Sequence, residues 1–127
     1  MRRCVLVVDD ERAIVSAVQM YVDGADFEVS TAVDFDGAQA LLMAKRYDVV
    51  ITDLRLSGRE GTEGLDIVRL AREMWPETKT MLMTAYGSSE VEAQARALGV
   101  DCYLQKPVAL SELEALIHAF FLPKDSN

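Results

Sequence analysis

Short apolar runs alternate with longer amphipathic segments along the whole chain. The short runs are Cys4–Val8, Phe27–Ala32, Val49–Thr52, Thr80–Thr84 and Cys102–Leu104. Each has the length of a strand, and β-branched residues are common in the first three. The segments between them carry apolar residues at three- and four-residue steps, the spacing of one helix face. Ile14, Val15, Val18 and Tyr21/Val22 mark the first, between Glu11 and Val22. Ala38, Leu41, Leu42 and Ala44 mark the second, and Leu65, Val68, Ala71 and Trp75 the third. The fourth, Ser88–Leu98, opens on Ser88-Ser89 as its N-cap and closes at Gly99, a residue suited to C′. The fifth carries Leu110, Leu113, Leu116, Ile117 and Phe120, with Ser111 and Glu114 at capping-box spacing.

Repeated strand–helix pairs predict a parallel sheet buried on both faces. Right-handed crossovers turn this into a doubly wound three-layer α/β sandwich. Periodicity alone does not order the strands. The common five-stranded solution is the flavodoxin-like order 2-1-3-4-5, with its ligand crevice at the C-terminal ends of the strands. In that order Cys4 and Cys102 lie on strands three positions apart, roughly 14 Å, so no disulfide joins them.

Composition narrows the class. The chain has 127 residues, 50% apolar and 27% charged, which suits one globular domain with a hydrophobic core. Residues 1–122 are read as that domain, and residues 123–127 as a polar tail or the start of a linker. A net charge of −8 disfavours direct binding of nucleic acid. No apolar run approaches the roughly 20 residues of a membrane span. Met1-Arg2-Arg3 is followed by only five apolar residues, too few for a secretory signal, so a cytoplasmic location is expected. The two cysteines are too few and too far apart for a zinc site and read as packed, reduced thiols.

The polar residues after each strand carry the chemistry. The first strand ends in Asp9-Asp10-Glu11, the third in Thr52-Asp53, the fourth in Thr84-Ala85 and the fifth in Gln105-Lys106-Pro107. Singly, each has an ordinary explanation: Asp10 as a helix cap, Asp53 as a loop acid, Thr84 as a strand threonine, Lys106 as an exposed lysine. The predicted fold collects them on one edge of the sheet. Three carboxylates meeting beside one lysine repel, so either one is protonated or a divalent cation completes the set. Oxygen ligands with few protein donors suit Mg²⁺, which also favours sites that hold a phosphate. An aspartate there can act as nucleophile and form an acyl phosphate. The cation and the lysine would neutralise charge on the transferred group, and the Thr84 hydroxyl would donate to it.

These residues, in this order, resemble the receiver domain of two-component response regulators over about Arg3 to Leu122. The resemblance rests on VLVVDDE (Val5–Glu11), VVITDLRLSG (Val49–Gly58), MLMTAYG (Met81–Gly87) and YLQKP (Tyr103–Pro107). It implies a module in a phosphorelay rather than an enzyme, phosphorylated on Asp53 by a sensor histidine kinase, a phosphotransfer protein or a small phosphodonor. It further implies Mg²⁺ held by Asp10 and Asp53, by Asp9 through water and by the backbone carbonyl of Arg55. Thr84 and Lys106 would grip the phosphoryl group, Thr84 and Tyr103 would form the switch, and the Lys106–Pro107 bond would be cis. The signal would leave through the fourth helix, fifth strand and fifth helix, toward an output domain, a downstream protein or a phosphorylation-dependent homodimer. Two departures stand out. Ser57 occupies a position where the family usually has proline, and the following loop is lengthened, with Arg59–Glu63 as extra residues before Gly64-Leu65. Arg55 and Tyr86, two residues beyond Asp53 and Thr84, are expected to flank the path of a hydrolytic water.

Three other readings remain at this point. A flavin-binding protein of the same fold needs a phosphate-cradling loop after the first strand, where this chain has Asp9-Asp10-Glu11. A phosphohydrolase with Asp53 as nucleophile commonly has an acid two residues on, where this chain has Arg55. The third is a receiver that acts only as a phosphorylation-independent interaction module.

Overall fold

A computed structural model describes residues 2–56 and 61–122. The order of elements is β1 (Arg3–Val8), α1 (Arg12–Val22), β2 (Phe27–Ala32), α2 (Phe35–Ala44), β3 (Val49–Asp53), α3 (Glu63–Met74), β4 (Lys79–Thr84), α4 (Ser89–Ala97), β5 (Cys102–Gln105) and α5 (Leu110–Ala119). All neighbouring strands are parallel, and the sheet runs β2-β1-β3-β4-β5 as expected. Residues 57–60, which include Ser57 and Arg59 of the loop read as lengthened, lie outside the described residues, as does the tail at 123–127; Glu63, read as the last extra loop residue, is instead the first residue of α3.

Both faces of the sheet are covered, which explains why its central strands read as continuous apolar runs. Side chains alternate between the faces. Val5, Val7, Val49, Ile51, Met81 and Met83 pack with Val15, Val18, Leu113 and Ile117 of α1 and α5. On the other face Leu6, Val8 and Val50 pack with Ala38, Leu42, Ile67 and Ala71 of α2 and α3. Leu82 joins Val68, Ala95 and Val100 where α3 meets α4. With both layers filled, every strand is held in register and its C-terminal end is fixed in space.

The helix ends follow local chemistry. Ser88 caps α4 by accepting from the Val91 N–H at 3.2 Å, and Gly99 follows its C-terminus at φ +88°. That conformation suits glycine because it has no Cβ. The capping box expected at Ser111 and Glu114 does not form. Helix α5 begins at Leu110 with Ala109 at the N-cap, so Ser111 already lies inside the first turn. Leu110 packs against the core formed with α1, which draws it into the helix ahead of the serine. Nor does Asp10 cap α1, whose N-cap is Glu11.

At the opposite end of the sheet, acidic residues serve the backbone. Asp48 accepts from the Cys4 N–H, Asp101 from the Thr80 N–H and Asp23 from the Val29 N–H, each at 2.8 Å. Cys4 and Cys102 are free thiols. No helix among the described residues is long and apolar enough to cross a membrane.

Candidate functional site: an acidic cluster at the strand ends

Register brings the site together. Val8 of β1 pairs with Thr52 of β3, so the next residues, Asp9 and Asp53, emerge side by side. Thr84 of β4 pairs with Gln105 of β5, which sets Lys106 just beyond the same edge. The Lys106 side chain crosses back over the end of β4, where Ala85 lines the same cavity with a small side chain. Its Nζ lies 2.7 Å from Asp9 Oδ2 and 3.3 Å from Asp53 Oδ2. Oxygens of Asp9, Asp10 and Asp53 all lie within 4.8 Å of one another. The Lys106–Pro107 peptide bond is cis.

The three acids differ in environment. Asp9 is fully buried and its Oδ1 accepts the Glu11 N–H at 2.9 Å, while its other oxygen takes the lysine. Asp53 is buried at the floor, and Asp10 is exposed at the rim. Burial, reinforced by the Asp9 charge, pushes the Asp53 carboxyl above the usual aspartate value, and Lys106 opposes part of that rise. Burial and then Asp9 raise Asp10 as well. Burial alone would lower the Lys106 ammonium, but its hydrogen bond to Asp9 and the charges of Asp53 and Asp9 outweigh this and raise it.

A cavity of about 260 Å³ opens above these groups, lined by Asp10, Glu11, Asp53, Arg55, Ala85, Tyr86 and Lys106. The Arg55 guanidinium lies over the Tyr86 ring, 4.7 Å from its centre. Thr84 and Tyr103 stand behind this cavity rather than in its lining. Thr84 is buried, and its Oγ1 accepts the Tyr86 N–H at 2.9 Å, which leaves its own proton available to a further acceptor. The Tyr103 hydroxyl is buried and has no hydrogen-bond partner among the described residues. A Cβ placed on Gly87 would overlap that hydroxyl and press on the Thr84 methyl.

The donor set fits a hard divalent cation. Three carboxylates against one ammonium leave an excess of two negative charges in a partly buried site, and burial first, then the Asp9 charge, raises the Asp10 and Asp53 carboxyls there. The cluster could bind a metal ion, and its acids with the adjoining lysine fit a phosphorylation site.

Two contributions were hidden from the sequence. Gly87 is shaped by the tyrosine beside it, and Gly64 by the backbone of β3. The only signal for either was a glycine closing a motif or opening a helix.

Comparison with known proteins agrees with this geometry. The response regulator receiver domain matches residues 5–118. The chain is 33% identical over 116 residues to the response regulator protein PilR of Pseudomonas aeruginosa, covering 91% of this chain and 25% of that protein. It is 32% identical over 112 residues to the transcriptional regulatory protein DltR of Streptococcus agalactiae, covering 88% of this chain and 49% of that one. The chain thus spans a quarter to a half of these relatives. Among solved structures, the chemotaxis response regulator CheY4 of Vibrio cholerae superposes with a TM-score of 0.81 at 28% identity, covering 94% of this chain and 98% of that one. Receiver domains are signalling modules of response regulators and not a classical enzyme family. The chain belongs to the receiver domains of two-component response regulators.

Proposed function

We propose that Asp53 is the phosphoacceptor and that Asp9, Asp10, Thr84 and Lys106 serve its chemistry. The observation that carries this is the meeting of three carboxylates within 4.8 Å, with Lys106 bonded to both Asp9 and Asp53. A carboxylate oxygen of Asp53 attacks phosphorus, and the bond to the donor breaks, its electron pair leaving with the donor. The donor is a phosphohistidine on a sensor kinase or phosphotransfer protein, or a small acyl phosphate. Lys106 holds the nucleophile and balances charge on the arriving oxygens. Asp10 and Asp53, with Asp9 through water and the Arg55 carbonyl, would hold Mg²⁺ as the resident cation. When bound, it screens the carboxylates from the incoming phosphoryl group and stabilises the charge that develops on it.

The switch would run through Thr84 and Tyr103. The Thr84 proton turns to a phosphoryl oxygen, which pulls its side chain from the Tyr86 amide. Tyr103 then settles deeper in the space beside Gly87 and Thr84, and the surface of α4, β5 and α5 changes with it. The buried, unpartnered Tyr103 hydroxyl supports this reading. That surface would address an output region, a downstream protein or a second copy of the phosphorylated chain. The domain would be residues 1–122, with 123–127 as tail or linker, and it would work in the cytoplasm.

The test is intact-mass measurement after incubation with acetyl phosphate and Mg²⁺. The wild type gains the mass of one phosphoryl group and Asp53→Asn gains none. Equal labelling of both proteins would overturn the assignment.

A further inference from the structure

The lengthened loop after β3 re-enters the fold through the first turn of α3, and two residues there grip the segment behind Asp53. The Gly64 N–H donates to the Leu54 carbonyl at 2.9 Å. Its Cα lies so close to the end of β3 that a Cβ would run into the Asp53 carbonyl oxygen and the Leu54 Cα. One residue earlier, the Glu63 carboxylate accepts the Leu56 N–H in a long hydrogen bond of 3.5 Å. That N–H shares one planar trans peptide unit with the Arg55 carbonyl, and the two groups point in opposite directions. Whatever orients the amide therefore orients the carbonyl.

We propose that Glu63 is a positioning residue, a clamp that sets the Arg55–Leu56 peptide plane and presents the Arg55 carbonyl to a divalent cation at the Asp9–Asp10–Asp53 cluster, while the Gly64 N–H fixes the adjoining Leu54–Arg55 peptide. The inference rests on the reading of that cluster as a cation site. Arg55 lines the cavity together with Asp10 and Asp53. A carbonyl on an unrestrained loop must be ordered when the cation arrives. The clamp orders it beforehand, as groups behind the immediate ligands do in metal sites generally. A simpler role for Glu63 is favourable charge at the start of α3. That role depends on ionisation, whereas the clamp needs only an oxygen acceptor at the end of the side chain.

Calorimetric titration of the whole chain with Mg²⁺ separates the two, with wild type, Glu63→Gln and Glu63→Ala compared and the Leu56 amide followed by NMR. Glu63→Ala is expected to weaken Mg²⁺ binding about tenfold and to shift the Leu56 amide. Glu63→Gln keeps an acceptor oxygen and is expected to stay within roughly threefold of wild type. Unchanged affinity in Glu63→Ala overturns the clamp, and so does an equal loss in both variants. A wild type that binds no Mg²⁺ overturns the cation site itself, a separate result from a wild type that binds and variants that match it.

Discussion

The Arg55 guanidinium is stacked on the Tyr86 ring, 4.7 Å from its centre, and the pair spans the mouth of the cavity above Asp53. Arg55 follows β3 and Tyr86 follows β4, so the contact bridges two loops beside the acidic cluster. Replacing both residues, as Arg55→Asn with Tyr86→Glu, removes the cation–π contact and opens that mouth to water. Loss of the phosphoryl group from Asp53 is expected to accelerate about tenfold, equivalent to ~1.4 kcal/mol of barrier. A phosphate-release time course reads this directly, and identical decay curves would reject it.

Burial of the acids, with charge repulsion between them, makes stability depend on both pH and cation. Burial and neighbouring charge raise the Asp10 and Asp53 carboxyls above 3.8. In the metal-free protein the folded state therefore holds these protons to higher pH than the unfolded chain does. Their contribution to stability is complete below the ordinary value and is lost as pH rises through the raised native values. Mg²⁺ relieves the repulsion of the ionised forms. Its effect on Tm is expected to be larger at about pH 7 than at about pH 4, and calorimetry at the two pH values checks the difference.

Lys106 balances a buried charge. Asp9 is fully buried, and Lys106→Met leaves it facing Asp53 with no cation between them. Breaking such a pair from one side costs about 3 kcal/mol. Urea unfolding without Mg²⁺ is expected to show that loss, partly recovered when Mg²⁺ is added.

Gly87 keeps room for the Tyr103 hydroxyl. Gly87→Ala would place a methyl group on that hydroxyl and close to the Thr84 methyl. The tyrosine, held at the far end of a movable side chain, is expected to swing outward while the fold survives. NMR shifts of the Tyr103 ring should then stop responding to phosphorylation, although Asp53 is still labelled.

Gly64→Ala meets backbone instead. The added carbon overlaps the Asp53 carbonyl oxygen and the Leu54 Cα, neither of which can turn aside. The gain in helix propensity from glycine to alanine is only about 1 kcal/mol. Crowding of about 1–3 kcal/mol should exceed it, giving a net loss of stability in urea.

The sequence made much of this legible because a two-sided parallel sheet writes its strands as unbroken apolar runs and its functional edge as the polar residues that end them. Val5–Val8 followed by Asp9-Asp10, and Val49–Thr52 followed by Asp53, are of that kind. Strand order came from topology rules rather than from periodicity. What stayed hidden depends on where loops come to rest. No spacing rule brings Arg55 over Tyr86, or sets Glu63 against the Leu56 amide. The false capping box at Ser111 shows the converse, a local pattern overridden when burial of Leu110 drew the helix start backward.

The bond between Lys106 and Asp9 joins residues 97 positions apart. A chain made from its N-terminus has its three acids in hand long before this lysine leaves the ribosome. The nascent β1–α1–β2–α2–β3 segment carries every candidate cation-binding side chain yet lacks the group that balances their charge. The charge of the acidic cluster is therefore left unbalanced through most of the chain's synthesis, until the fifth strand joins the sheet and carries Lys106 back to the first.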